Sequence, residues 1–284
     1  MVEIQQGGEA KQLLLYAMKT YFSLFRVRFI HSLQYRAAAL AGAATQFAWG
    51  SMELLAFAAF YRADPAAFPM ELPRMASYVW MQQAFLALFS MWFGESDFAA
   101  SITQGSVAYD LVRPVDLYGC WFCQAAANRV ARAALRCAPI LLAAFFLPAP
   151  WRLSLPPGPA QFALFLLSVA LSLGVVVSFS MLMYISMFYT LSPAGVRALA
   201  CLAAEFLSGM YVPLPFFPEP VRKIAELLPF AAMQNMPLRI YSGDIAGLDA
   251  LRGVALQVFW LAALLLPGRL ALGRALKKVI VQGG

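Results

Sequence analysis

Glu53 and Glu205 each stand alone inside a run of apolar residues, and Gln82 and Gln83 sit side by side inside another. A carboxylate at the centre of a hydrocarbon layer costs about 2.5–3.5 kcal/mol even on the lenient insertion scale, so each glutamate must face protein or water. Acids so placed can line a transport path, lie at an interface between two membrane subunits, or hold helices together, and paired amides often bridge helices. A second group is compact and charged. In "ITQGSVAYDLVRPVDLYG", Ile102 to Gly119, the chain places Asp110, Arg113 and Asp116 close together, shortly after Glu95 and Asp97. Gly105 permits a sharp entry, Ala108 to Leu111 can form a helical turn, and Pro114 drives Arg113 out of helical geometry. Charges projecting from such a bend suit a docking surface, and equally an ordinary solvated loop with a local ion pair.

Other candidate chemistry is sparse. "CWFC", Cys120 to Cys123, has the spacing of a redox dithiol, but no βαβ pattern surrounds it, so packing is the better reading. One histidine, His31, and four cysteines supply no recognisable metal set. No Gly-x-x-x-x-Gly-Lys-[Ser/Thr] pattern occurs, so the backbone cradle and lysine that hold nucleotide phosphates are missing from the sequence. The chain is therefore expected to bind no cofactor or metal and to be no enzyme.

The elements that must position these residues are membrane helices. Of 284 residues, 62% are hydrophobic and 12% charged, against about 25% charged in soluble domains, and the mean hydropathy is +0.70. An all-α membrane protein follows, with six spans at about 37–61, 77–93, 118–148, 161–191, 193–211 and 251–272. Residues 1–36 interleave Lys11, Lys19, Arg26, Arg28 and Arg36 with aromatic and aliphatic residues at helical spacing, as a helix lying along the headgroups does. No cleavable leader is apparent, so the first span is expected to act as its own insertion signal. Residues 94–117 form a loop, and 212–250 hold two candidate helices, 219–228 and 230–241, too short to cross, which implies an external segment dipping into or lying on the outer leaflet. In this topology the lysines and arginines favour one side two to one. That side, with both termini, is therefore cytoplasmic. The net charge of +7 then reads as attraction to anionic headgroups, with no nucleic-acid partner.

Three passages in order, "ITQGSVAYDLVRPVDLYG", "FLSGMYVPLPFFPEPVRKIAELLPF" and "MPLRIYSGDIAG", give nearly the whole chain a resemblance to the permeases of type-2 ABC exporters, in the branch with a separate ATPase chain. The resemblance implies that residues 1–36 form a cytoplasmic elbow helix and that the 94–117 loop carries a coupling helix seated in the ATPase. Glu95, Asp97, Asp110, Arg113, Pro114 and Asp116 would fall in or beside that contact. It also implies a re-entrant segment before the last span, punctuated here by Gly209, Pro213, Pro215, Pro218 and Pro229.

The implied function is the membrane half of an ATP-driven exporter of a hydrophobic or amphipathic substrate, in the bacterial inner membrane. ATP and Mg would be held by two copies of an ABC ATPase subunit, and the permease would pair with a second copy or a paralogous permease. Glu53, Gln82, Gln83 and Glu205 are the pathway or packing candidates. The alternative is an ATP-independent carrier or channel in which Glu53 and Glu205 bind a proton or cation.

Overall fold

The computed structural model describes residues 19–34, 36–92, 96–112, 115–190 and 193–277. Glu95, Arg113 and Pro114 lie outside them, as does the start of the expected elbow segment. All regular structure among the described residues is helical. The chain enters through α1, 19–32, and continues through α2 (Arg36–Ala63), α3 (Leu72–Phe89), α4 (Ser96–Thr103), α5 (Val107–Leu111), α6 (Leu117–Phe145), α7 (Pro159–Ser186) and α8 (Pro193–Leu207). A 3-10 turn, η1 (Leu214–Phe216), precedes α9 (Glu219–Leu227), α10 (Asn235–Ser242) and α11 (Gly247–Leu276).

Local chemistry sets these boundaries. Asp116 caps α6 by accepting from the Gly119 amide at 2.9 Å, which satisfies one of the helix's free N–H groups. Pro73 and Pro159 sit in the first turns of α3 and α7, where a missing N–H loses nothing. The helix holding Glu205 ends at Leu207, earlier than the span end expected near 211. Gly209 takes a φ of +83°, and its amide bonds to Phe206 O, so the chain turns back on itself.

Proline punctuates the segment that follows. Pro213 precedes η1, Pro218 caps α9, and Pro229 follows it, each where no helical N–H is needed. A helix was expected over 230–241; it begins only at Asn235, which puts Pro237 in its first turn. Residues before it form turns, with Met233 N on Phe230 O and Met236 N on Ala231 O. Arg239 then fastens the segment, bonding Glu226 at 2.6 Å and Asp244 at 2.5 Å. Burial pulls its pKa down, but the two carboxylates outweigh that and hold it above the ordinary guanidinium value.

α7 is the central helix, packed on α11, α10 and α6, while α3 packs on α6, α2 and α10. α7 and α11 are long and apolar enough to cross a membrane by length and composition. They approach closely at Gly174, where a Cβ would lie 2.8 Å from Leu261 Cδ1, and α11 meets α10 at Gly253, where one would lie 2.1 Å from Met236 Sδ, the packing style favoured where lipid supplies no hydrophobic drive. Buried amides lock the same helices. Gln257 accepts from Ser168 Oγ at 2.9 Å and donates to Ser172 Oγ and Ala232 O, both at 2.9 Å; Gln161 donates to Ile240 O and Ile245 O.

Gly209 gives a direct test of the turn. A Cβ there would be forced into left-handed backbone and would sit 3.2 Å from Leu214 N. Gly209→Ala is therefore expected to destabilise the chain by about 1–2 kcal/mol, read as a lowered thermal unfolding midpoint in detergent.

Candidate substrate cavity and loop surface

The residues singled out inside apolar runs come together in two adjoining clusters. In the first, Glu53 on α2 faces α3. Gln83 Nε2 donates to Glu53 Oε2 at 3.2 Å, and Gln82 Nε2 lies 3.5 Å from Glu53 Oε1 while donating to Met210 O at 2.9 Å. Consecutive residues on a helix do not face the same direction, yet a carboxylate with two oxygens spans the gap between both amides. Met210 belongs to the turn after α8, so the amides join three parts of the chain.

In the second cluster, Glu205 on α8 is 2% exposed. Its carboxylate accepts from Ser90 Oγ at 3.3 Å, from Tyr211 Oη at 3.0 Å and from Trp92 Nε1. Ser90 lies just past the end of α3, and its carbonyl accepts from Arg129 at 2.7 Å. Arg129 on α6 also bonds Leu88 O at 3.2 Å and Ser180 Oγ at 3.2 Å. A guanidinium thus caps the carbonyl end of α3, where the helix dipole favours positive charge.

Two cavities meet at this point. One, of about 740 Å3, has Trp49, Met52 and Glu53 of α2 and Gln82, Gln83 and Leu86 of α3 among its walls. The other, of about 570 Å3, is lined by Arg197, Ala198, Cys201 and Glu205 of α8 together with residues of α4. Trp92 and Tyr211 belong to both linings. The Glu205 carboxylate, by holding both side chains, fixes the partition between the cavities.

The charged loop stretch forms a separate surface at the junction of α4, α5, α6 and α11. Asp97 is exposed on α4, and Asp110 is half-buried on α5. Asp116, expected to project toward a partner, also serves the fold: Arg269 of α11 donates to its Oδ2 at 2.9 Å, and it caps α6. The Tyr21 hydroxyl stands over Gly119, where an added Cβ would come within 2.7 Å of it. Burial first, then the nearby Asp116 charge, raises the pKa of that phenol. Two apolar residues of the stretch that charge-based reading missed are largely exposed: Tyr109 by 78% and Val112 by 84%. Sequence carried little signal for them, since Val107, Ala108 and Leu111 stand in the same short stretch.

The cysteine pair lies one turn apart on α6, and neither cysteine forms a disulfide among the described residues. Arg129, Arg132 and Arg136 are spaced to share one helical face, which by sequence reads as an amphipathic cytoplasmic foot of the third span; Arg129 is instead buried in the bundle.

A helical bundle with two apolar helices of membrane-crossing length and two open cavities with glutamates in their walls fits an integral membrane protein. Residues 47–283 match the family described as ABC-2 family transporter protein, and the chain belongs to that family. No curated protein and no solved structure matched it. Membership makes it a membrane permease of an ABC transporter and implies, in general, an ABC ATPase as partner.

Proposed function

We propose that this chain is the transmembrane permease subunit of an ABC exporter for hydrophobic or amphipathic substrates, with ATP and Mg held by a separate subunit present in two copies. In this reading α2, α3, α6, α7, α8 and α11 supply six spans, residues 1–36 form the cytoplasmic elbow, 212–250 the external re-entrant segment, and both termini lie in the cytoplasm of a bacterial cell. A second permease, identical or paralogous, completes the membrane unit.

The observation that carries the reading is the loop surface. Tyr109 on α5 and Val112 at its C-terminal cap are held out to solvent, while Asp116 ties the adjoining turn to Arg269 of α11. An apolar anchor exposed on a short helix is what a protein partner's cleft binds, and the ion pair offers a mechanical link from that anchor to a long apolar helix. ATPase closure would then move α5 and, through it, α6 and α11. Asp97 and Asp110, with Glu95 and Arg113 in the sequence alongside them, would set register at the rim. The carrier alternative loses one of its two acids, because the Glu205 carboxylate already accepts from three donors.

The test is co-purification. The tagged chain, expressed from its own genomic context, should bring down a Walker A ATPase and transport only in its presence. Absence of such a partner, together with transport by the isolated chain, would overturn the reading.

A further inference from the structure

The larger cavity has a polarity that selects among ligands. Its one carboxylate, Glu53, is paired with no lysine, arginine or histidine among the described residues; its partners are the amide N–H groups of Gln82 and Gln83. Those amides therefore turn donors toward the carboxylate. Gln46 Oε1 and Gln82 Oε1 also lack a donor among the described residues, but both oxygens are fully buried and do not open onto the cavity, so Glu53 is the acidic acceptor the cavity offers. The rest of the wall is apolar and aromatic, with Trp49, Met52 and Leu86 on it. Indole faces attract cations, and the volume of about 740 Å3 lies within the usual range for sites that hold drug-sized molecules.

We propose that this cavity binds an organic cation, specifically a protonated amine carried on an apolar body. The ammonium pairs with Glu53, while the apolar body lies against Trp49, Met52 and Leu86. An anion of the same shape would face the Glu53 carboxylate at close range. A neutral apolar molecule would leave the Glu53 carboxylate without a countercharge. As the substrate class of an exporter the inference rests on the permease reading, but as a statement about binding it does not.

The experiment uses the full chain in nanodiscs, with any subunit that co-purifies, and no nucleotide. Saturable binding of radiolabelled adamantylamine is measured against empty nanodiscs, with unlabelled adamantylamine, adamantanol and adamantane carboxylate as competitors on one apolar cage. The amine is expected to compete about tenfold or more better than the alcohol, and the carboxylate least of all. Glu53→Gln, which keeps the shape and removes the charge, is expected to weaken amine binding about tenfold to a hundredfold, and Trp49→Ala to weaken it less. Equal competition by amine and alcohol, no saturable amine binding, or unchanged affinity in Glu53→Gln overturns the proposal. If Glu53→Gln does not elute as a folded species, the comparison of head groups on the unaltered chain decides. Amine binding without an ATPase partner would sink the exporter reading and leave this site standing; an ATPase partner without amine binding would do the reverse.

Discussion

Arg129→Met is expected to lower the stability of the folded chain by about 2–6 kcal/mol, because it orphans two buried carbonyl acceptors worth about 1–3 kcal/mol each. The two are Leu88 O and Ser90 O, at the end of α3, and Arg129 is 1% exposed, so water does not readily replace the lost donors. The damage should spread beyond α3. Ser90 also donates to Glu205 and accepts from the Trp92 amide at 3.2 Å, so loosening Ser90 loosens the partition between the two cavities. Arg129→Lys keeps the charge but not the planar fork that reaches two carbonyls and a hydroxyl at once, and is expected to recover only part of the loss. Thermal unfolding in detergent, with elution profile as a check on folding, measures both variants. An unfolding midpoint for Arg129→Met equal to that of the unaltered chain would show that the guanidinium does not hold this corner.

Glu53 and Glu205 were legible because a charge in an apolar run is visible without any structure, and Gln82 and Gln83 were legible as a polar pair in the same way. Their meeting with Glu53 was not, since it depends on the relative rotation of α2 and α3. Arg129 shows the same limit more sharply. Its spacing with Arg132 and Arg136 placed all three on one helical face, but a one-dimensional pattern cannot say whether that face meets headgroups or the open end of another helix. Ser90, Ser180 and Gln257 carried almost no signal: single hydroxyls and amides are common in apolar helices, and their partners here lie far off in sequence. Helix ends were legible only roughly. The early stop of α8 at Leu207 comes from the left-handed Gly209, and a lone glycine in an apolar run does not announce its φ. In the loop, attention to charge favoured Asp116 as a partner contact, whereas the α6 cap and the Arg269 pair give it a role within the fold, and the exposed apolar pair Tyr109 and Val112 went unremarked.

That pair supports the second large effect, on coupling instead of stability. Replacing Tyr109 and Val112 together by aspartate is expected to abolish capture of the ATPase subunit and ATP-driven transport, with little change in the permease itself. Both side chains are largely exposed, so surface replacements there should shift folding stability by no more than about 0.5 kcal/mol. In a partner's cleft the same side chains would be desolvated. Losing an anchor of that kind costs about 2 kcal/mol or more at an interface, and burying a new carboxylate costs further, so two substitutions are expected to weaken association by about a hundredfold or more. Asp116→Ala separates the mechanical link from the anchor. It removes the α6 cap and the Arg269 pair but no apolar contact, so the ATPase should still bind while its hydrolysis no longer drives transport as well. The cap alone should cost about 1 kcal/mol of stability. The readouts are pull-down of the co-purifying ATPase, its ATP hydrolysis rate, and transport in proteoliposomes. Retention of full ATPase capture by the double aspartate variant would remove Tyr109 and Val112 from the contact and return the loop to an ordinary solvated turn.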